Sequence, residues 1–388
     1  MKTKTWEINK LEEVCEILDN KRVPISSKNR IRGIYPYYGA SGIVDYIDKY
    51  IFDEELVLIG EDGAKWGAFE NSAFIAEGKY WVNNHAHILK PNNEILINKF
   101  LVYFLNYSNL EKYITGATVK KLNQQKLKQI EIPLPPLKEQ ERIVGILDES
   151  FAKIDESIKI LEQDLLNLDE LMQSALQKAF NPLKDNAKEN YKLPQGWEWK
   201  SLGEIGEIIT GTTPSKNNPN FYGNEYPLFK PSDLNGDMII KYASDNLSKL
   251  GFDNARNLPK DTILVVCIGA IGKVGLSGVN GSCNQQINAI IPNSAFTSKY
   301  LFFVCLSNYF QTILKKNASQ TTLPIINKTE FSKLQIPLPP IKEQEQIAKH
   351  LDFVFEKTKA LKELYTKELK DYEELKQSLL NKAFKGEL

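Results

Sequence analysis

Several short clusters in this sequence have the residue types of a reactive site. Asp62, Glu77 and Lys79 offer two carboxylates and a lysine, the set with which a nuclease holds Mg²⁺ and polarises water. Such short patterns arise often by chance, and nothing comparable recurs in the second half of the chain. His85 and His87 are alternate residues, so on a strand they share one face as two metal ligands would. With three histidines in the whole chain and no cysteine nearby, a structural or base-contacting pair is the better reading. Asn218-Pro219-Asn220-Phe221 has the outline of the (N/D)PP(Y/F) adenine clamp of methyltransferases, but it lacks the second proline and sits in a polar loop. Cys15, Cys267, Cys283 and Cys305 are scattered without a CxxC pair, which argues against a disulfide framework or a zinc site and favours the reducing cytoplasm.

The remaining polar clusters suit recognition better than catalysis. Asn and Gln read adenine edges, Arg and Lys read guanine, and Lys, Ser, Thr and backbone amides hold phosphates. Asn83, Asn84, His85 and His87 in VNNHAHIL occupy the same repeat position as Asn284, Gln285, Gln286 and Asn288 in CNQQINAI. Equivalent placement with different side chains is what two readers of different half-sequences would show. Lys65 and Lys273 lie in the Gly-rich loops GEDGAKWG and GAIGKVG, where backbone can approach a phosphate closely. Lys120, Lys121, Thr212, Thr213 and Lys230 complete the set of candidate DNA contacts.

These clusters sit on an internal duplication. IPLPPLKEQER at 132–142 recurs as IPLPPIKEQEQ at 336–346, an offset of 204 that still holds at Lys178-Ala179-Phe180 and Lys382-Ala383-Phe384. Loops tolerate insertions, so a long ungapped match implies one continuous rigid element. In the first copy Leu147, Phe151, Ile154, Ile158, Leu161, Leu165, Leu168 and Met172 alternate spacings of four and three, the seam of a coiled coil. The second seam is read through Leu351, Phe355, Leu361, Tyr365, Leu369, Tyr372, Leu375 and Leu379, with Lys362 and Lys376 where the first has Ile158 and Met172, which suggests a shifted register. Pro135-Pro136 and Pro339-Pro340 mark helix starts, Asn181-Pro182 an end and Gly386 a C-cap. The globular parts match more loosely: Trp6 with KLEEVCEIL resembles Trp199 with SLGEIGEII, and Asn123 matches Asn327. Buried strands are expected at LVLIG (56–60) and TILVVCIG (262–269).

The chain has 388 residues, enough for two domains, and no net charge. Residues 1–136 carry about +1, 137–181 about −5, 182–340 about +4 and 341–388 about 0, so the helices hold the acid. No apolar run reaches the roughly 18 residues of a membrane span, and MKTKTWEINKLEEV lacks a signal-peptide core.

The duplicated IPLPPxxEQ element with its long helix ending in KAF, the YYGASGI and LIGEDGA segments, the GWEWKSLGEI entry to the second half and the terminal AFKGEL resemble the specificity subunit of Type I restriction–modification systems. The resemblance covers essentially the whole chain. It implies a mixed α/β protein with two target-recognition domains (1–136 and 182–340, the latter entered by a linker at 181–196) joined by two long antiparallel coiled-coil helices (137–181 and 341–388), a pseudo-twofold duplication in which the helices act as spacer and subunit contact. It implies double-stranded DNA as ligand, two modification subunits and restriction subunits as partners, and no chemistry in the chain itself: S-adenosylmethionine, ATP and Mg²⁺ belong to the partners. The helix starts, Leu137, Glu139, Gln140, Ile143, Ile341, Glu343, Gln344 and Ile347, are the expected partner contacts. A coiled-coil adaptor whose halves bind protein is the alternative, and it predicts no salt-sensitive DNA affinity.

Overall fold

The structure, a computed structural model, describes residues 6–180, 193–319 and 323–388. The chain divides into two compact units, Met1–Glu162 with Thr366–Leu388, and Gln163–Tyr365. Each unit therefore takes part of both long helices, and the boundaries read from sequence, which set the helices apart as separate segments, do not coincide with these units.

Unit 1 is built around a four-stranded antiparallel sheet of Cys15–Ile17, Ala86–Pro91, Leu56–Gly60 and Ala73–Ala76, in that order. Leu56–Gly60 is buried along its whole length because both faces of the sheet are covered. Val57, Ile59 and Leu89 face a core with Phe100, Leu101 and Leu105 of helix Asn98–Tyr107. Leu56, Leu58 and Ile88 face the other way, toward Phe52, Tyr80 and Val82 of a second sheet, whose strands run in the order Gly42–Ile47, Arg32–Gly39, Lys79–Val82, Phe52–Asp53. A strand with two dry faces loses its polar alternation, so LVLIG reads as a plain apolar run.

Unit 2 repeats this plan. Ile208–Thr210, Ile287–Ile290, Ile263–Val266 and Val274–Ser277 follow the same order, with Ile239–Ile240 added in parallel at the edge. Its second sheet orders Asp245–Leu247, Tyr222–Phe229, Gly281–Cys283 and Asn257–Leu258. The one parallel pairing inside the unit 1 sheets, Tyr37 beside Trp81, recurs as Leu228 beside Ser282. Glu7 pairs with Leu134 and Glu198 with Leu338. The counterpart of Trp6 is thus Trp197, not Trp199, which falls on the position of Ile8. Asn123 and Asn327 are equivalent N-caps, accepting from the amides of Lys126 and Glu330 at 2.9 Å each.

The long helices run over Leu137–Ala179 and Ile341–Phe384, each starting immediately after its proline pair. Their starts are held by a buried glutamine. Gln140 accepts from the Ile97 amide at 2.9 Å and donates to the Ile95 and Pro135 carbonyls at 2.8 Å. Gln344 does the same with the Thr297 amide at 2.9 Å and the Ala295 and Pro339 carbonyls at 3.3 and 2.9 Å. Ile143 belongs to the unit 1 core, and Ile347 packs against that of unit 2. Gln140, Ile143 and Gln344 were expected to meet a partner subunit; at 0%, 1% and 1% exposure they have no surface to offer one. Glu139 pairs with Arg142 at 2.8 Å, and Glu343 accepts from the Trp197 indole at 3.0 Å. Leu137 is half-buried and Ile341 exposed.

Within each unit the two helices run antiparallel. Lys376 meets Asp155 at 2.5 Å in unit 1, and Lys362 pairs with Asp169 in unit 2. The second seam is not shifted. Leu361 and Leu375 are exposed, while Thr358 is buried and Lys362 and Lys376 keep the heptad positions. A lysine lays its methylenes along the seam and carries its ammonium to the rim, where an aspartate on the first helix meets it; such exposed pairs contribute about 0–1 kcal/mol and specify partner and direction more than strength. The Glu387 amide returns to Lys382 at 2.8 Å and that of Gly386 to Ala383 at 3.2 Å, with Gly386 at φ +70°, so Gly386 caps the second helix in a Schellman turn. Phe180 follows the first helix, and Asn181-Pro182 lies outside the described residues.

Gln140→Ala strips three backbone bonds from a dry site, at about 1 kcal/mol each. Amide exchange should accelerate in unit 1 and not in unit 2, and Gln344→Ala should do the reverse. Unchanged protection in both variants would show that these bonds do not hold the helix starts.

Candidate nucleic-acid interface

In each unit the candidate contacts collect at one end of the sheets, where Leu56–Gly60 or Ile263–Val266 runs out into a Gly-rich loop and Ala86–Pro91 or Ile287–Ile290 begins. The turn before the latter strand is an Asx turn in both units. The Asn83 amide donates to Tyr38 at 3.0 Å, and its side chain accepts from the His85 amide at 2.7 Å. The Asn284 amide donates to Phe229 at 3.0 Å, and its side chain accepts from the Gln286 amide at 3.1 Å. Both asparagines are buried, so they shape the turn, and the next two residues are what it presents. Those are Asn84 and His85 in unit 1, Gln285 and Gln286 in unit 2. Asn84 and Gln285 are exposed; Gln285 accepts from the Thr213 hydroxyl at 2.8 Å. His85 is half exposed, its Nδ1 2.6 Å from Asp62. Gln286 is half-buried and accepts from Asn284 Nδ2 at 3.0 Å.

His87 and Asn288 point inward from the strand. His87 is fully buried, with Nδ1 2.6 Å from Asp19 Oδ2 and Nε2 2.6 Å from the Leu122 carbonyl. Both neighbours are oxygen acceptors, so each lies where a ring N–H can donate to it. Arg22 pairs with Glu61 and lies 3.4 Å from Asp19, and Lys121 reaches Glu61 at 2.8 Å. Asp19, Glu61 and His87 each offer one ligand-type atom within 4.8 Å of the others, but the negative charge of this cluster is met by Arg22 and Lys121. Burial pushes the Asp19 carboxyl up, and the His87 contact, the Ile88 amide and Arg22 outweigh it, holding the group below its usual range. Glu61 is also depressed: burial opposes, and Lys121 and Arg22 prevail. In unit 2 the same place holds a neutral bond, Thr210 Oγ1 donating to Asn288 Oδ1 at 2.6 Å.

Lys65 and Lys120 are exposed and line an open cavity of about 690 Å³ with Trp66, Gly67, Gly116 and Thr118. Trp66 is its buried floor, donating to the Gly60 carbonyl at 3.1 Å. In unit 2 Lys273 is exposed, with Nζ 3.1 Å from the Pro231 carbonyl, while Lys230 is committed to Asp245. Thr212 is half-buried, its amide bonded to Cys283 at 2.8 Å; Thr213 is exposed. A Cβ on the neighbouring Gly211 would collide with the carbonyls of Cys283 and Asn284, so only glycine lets these two strands approach there.

The catalytic-looking clusters do not assemble. Ala76 pairs with Leu56 at the start of a strand, so Glu77 lies at that end, while Asp62 follows Gly60 at the other, about 13 Å away at ~3.3 Å per residue. Lys79 sits 3.9 Å from Asp53 and over the Tyr50 ring. The nuclease arrangement is therefore not formed. Asn218 caps the single turn Pro219–Phe221, accepting from the Asn220 amide at 3.2 Å. The four cysteines are buried free thiols, and burial pushes Cys15, Cys267 and Cys283 up to about 12. Among the described residues no helix is long and apolar enough to cross a membrane.

The profile of the Type I restriction modification DNA specificity domain matches residues 3–165 and again 194–371. The chain belongs to this family. A putative type I restriction enzyme specificity subunit of Haemophilus influenzae is similar to this specificity subunit at 31% identity over 88% of the chain and 86% of the relative. The EcoDI specificity subunit of Escherichia coli is 23% identical over 99% of the chain and 88% of its own length. Two solved structures share the fold. One comes from work on complex assembly and conformational transition of the type I R-M system (TM-score 0.74, 21% identity, 99% of both chains); the other is the HsdS subunit from Thermoanaerobacter tengcongensis (0.56, 21%, 99% and 98%).

Asp19→Asn should destabilise unit 1 of this specificity subunit by about 3 kcal/mol at neutral pH, because it removes the buried carboxylate that meets the His87 ring, the Ile88 amide and the Gln124 amide group and lies beside Arg22. A depressed carboxyl contributes stability above its unfolded value, ~3.9, and loses it as pH falls through the folded value. The gap between native and variant should therefore begin to shrink below about pH 4 and close as pH falls through the folded value. A gap that does not shrink below about pH 4 would contradict a stabilising Asp19 carboxylate.

Proposed function

We propose that this chain is the sequence-reading subunit of a type I restriction–modification enzyme, and that each unit reads one part of a two-part target in double-stranded DNA. The observation that carries this reading is the loop end shared by both units. The same Asx turn, built on Asn83 and Asn284, presents Asn84 and His85 in one and Gln285 and Gln286 in the other. A common frame with different tips is the economy of two readers with different sequences. Asn and Gln pair bidentately with adenine in the major groove, and in this reading the exposed Lys65, Lys120 and Lys273 hold phosphates. Asn83, His87, Asn284 and Asn288 position these groups from inside. In this reading two modification subunits bring S-adenosylmethionine and methylate adenine, and restriction subunits bring ATP and Mg²⁺. Exposed apolar residues on the long helices, among them Ile160 in unit 1 and Leu171, Phe353 and Leu364 in unit 2, are the contacts left to them in place of the buried glutamines.

Gln285→Ala with Gln286→Ala should relax the methylated motif in one half only, with a loss of about 1–3 kcal/mol of discrimination per base contact. Sequencing adenine methylation in cells that carry the variant and the modification subunits reads this directly. Relaxation of both halves, or a motif unchanged at every position, would count against unit-by-unit reading.

A further inference from the structure

Residues 21–32, Lys-Arg-Val-Pro-Ile-Ser-Ser-Lys-Asn-Arg-Ile-Arg, hold five cations and no acid. The segment joins strand Cys15–Ile17 to strand Arg32–Gly39 through a short turn at Ser27–Asn29. Its backbone is fixed at several points. The Trp81 indole donates to the Val23 carbonyl at 2.6 Å, and the Ile25 amide donates to the Tyr37 hydroxyl at 2.9 Å. Arg30 donates to the Ile25 carbonyl at 3.1 Å, lies over the Tyr37 ring at 4.5 Å and pairs with Asp45 at 3.1 Å. Arg22 is committed to Glu61 and Asp19, and it also donates to the Ala86 carbonyl at 2.9 Å and the Asn84 carbonyl at 3.4 Å. The segment therefore starts against the Asn83–His85 turn. Two of its cations hold it in place. Lys21, Lys28 and Arg32 are exposed and make no ion pair among the described residues, although Asp45 lies near enough to Arg32 to feel its charge.

We propose that residues 21–32 are the phosphate-gripping ridge of unit 1, with Lys21, Lys28 and Arg32 contacting the backbone of the duplex whose bases the adjoining turn reads. The inference rests on the DNA-reading function above. A rigid main chain with protruding cations suits a polyanion, because the contacts fix register without further ordering of the backbone. Unit 2 lacks the ridge: its corresponding stretch, 211–221, carries Lys216 as its one cation among Asn217, Asn218 and Asn220. The ridge is thus a contribution to the salt-dependent affinity that only unit 1 makes at this position of the fold.

The test is the affinity of the full chain, alone and with its modification subunits, for a random-sequence duplex between roughly 50 and 200 mM salt. The triple variant Lys21→Ala, Lys28→Ala, Arg32→Ala should lower the slope of log affinity against log salt by about 2.7, from ~0.9 per lost phosphate contact. Over that fourfold range of salt the native chain then loses about 40-fold more affinity than the variant. All three side chains are exposed, so the melting temperature should not move. A control triple on the long helices, Lys159→Ala, Lys357→Ala and Lys367→Ala, removes the same charge and should leave the slope near native. A native slope in the ridge variant, or equal losses in both triples, overturns the ridge and leaves the DNA-reading function standing. Absence of salt-sensitive DNA binding by the native chain in either form overturns that function itself.

Discussion

Each core of this protein is closed by the start of one long helix and the end of the other. In unit 1, Ile143 and Leu147 from the first helix lie in the same cluster as Leu380 and Ala383 from the second. In unit 2, Leu176 and Phe180 join Ala348 and Leu351. Phe384 alone touches three rings, with centroids 5.4 Å from Phe100, 5.4 Å from Phe104 and 5.0 Å from Tyr107. Removing a fully buried aromatic such as Phe180 costs about 3–5 kcal/mol, a large share of a domain's net stability, and removing the half-buried Phe384 costs less. The Phe-bearing end of each helix is thereby held in register with a core. That register accounts for the gapless match of the two long helices at an offset of 204 residues, while the loops between the anchors diverge freely.

With the frame held this way, the two units solve the same local problem with different chemistry. Both must tie the strand after the Asx turn to the strand beside it. Unit 1 uses a charged cluster of Asp19, Glu61, His87, Arg22 and Lys121; unit 2 uses the hydroxyl–amide bond of Thr210 and Asn288. The charged version is costly to bury and tolerable only because every member has a partner. It also brings the 115–122 loop, through the Leu122 carbonyl and Lys121, against the turn. The Thr210–Asn288 bond makes no such tie among the described residues, and in unit 2 the equivalent loop is held by its main chain, the Ile326 amide donating to the Cys267 carbonyl at 2.9 Å and the Gly269 amide to that of Pro324 at 3.0 Å. The tips differ accordingly: a half-exposed histidine on Asp62 in one unit, a glutamine folded back on its own turn in the other.

Features governed by neighbours in sequence were legible without the fold. The proline pairs place both helix starts, Gly386 takes the left-handed cap, and LVLIG forms a strand. Each follows from backbone sterics, capping or periodicity within a few residues. Asn123 and Asn327 were matched as repeat positions, and their capping role came from the structure. The duplication itself was visible because identical packing demands kept identical spacing.

Only the tertiary structure decided what the polar residues do. Gln140 and Gln344 look like helix-surface residues until the Asn92–Ile97 and Asn293–Thr297 stretches fold over them. Lys362 and Lys376 seem to break a seam until Asp169 and Asp155 come opposite. Arg22 finds Glu61 across 39 residues, and Asp19 finds His87 across 68. A polar side chain is acceptable at a surface and, when paired, in a core. Composition and spacing cannot tell these apart, because the partner that settles the choice is brought near by chain closure and not by sequence.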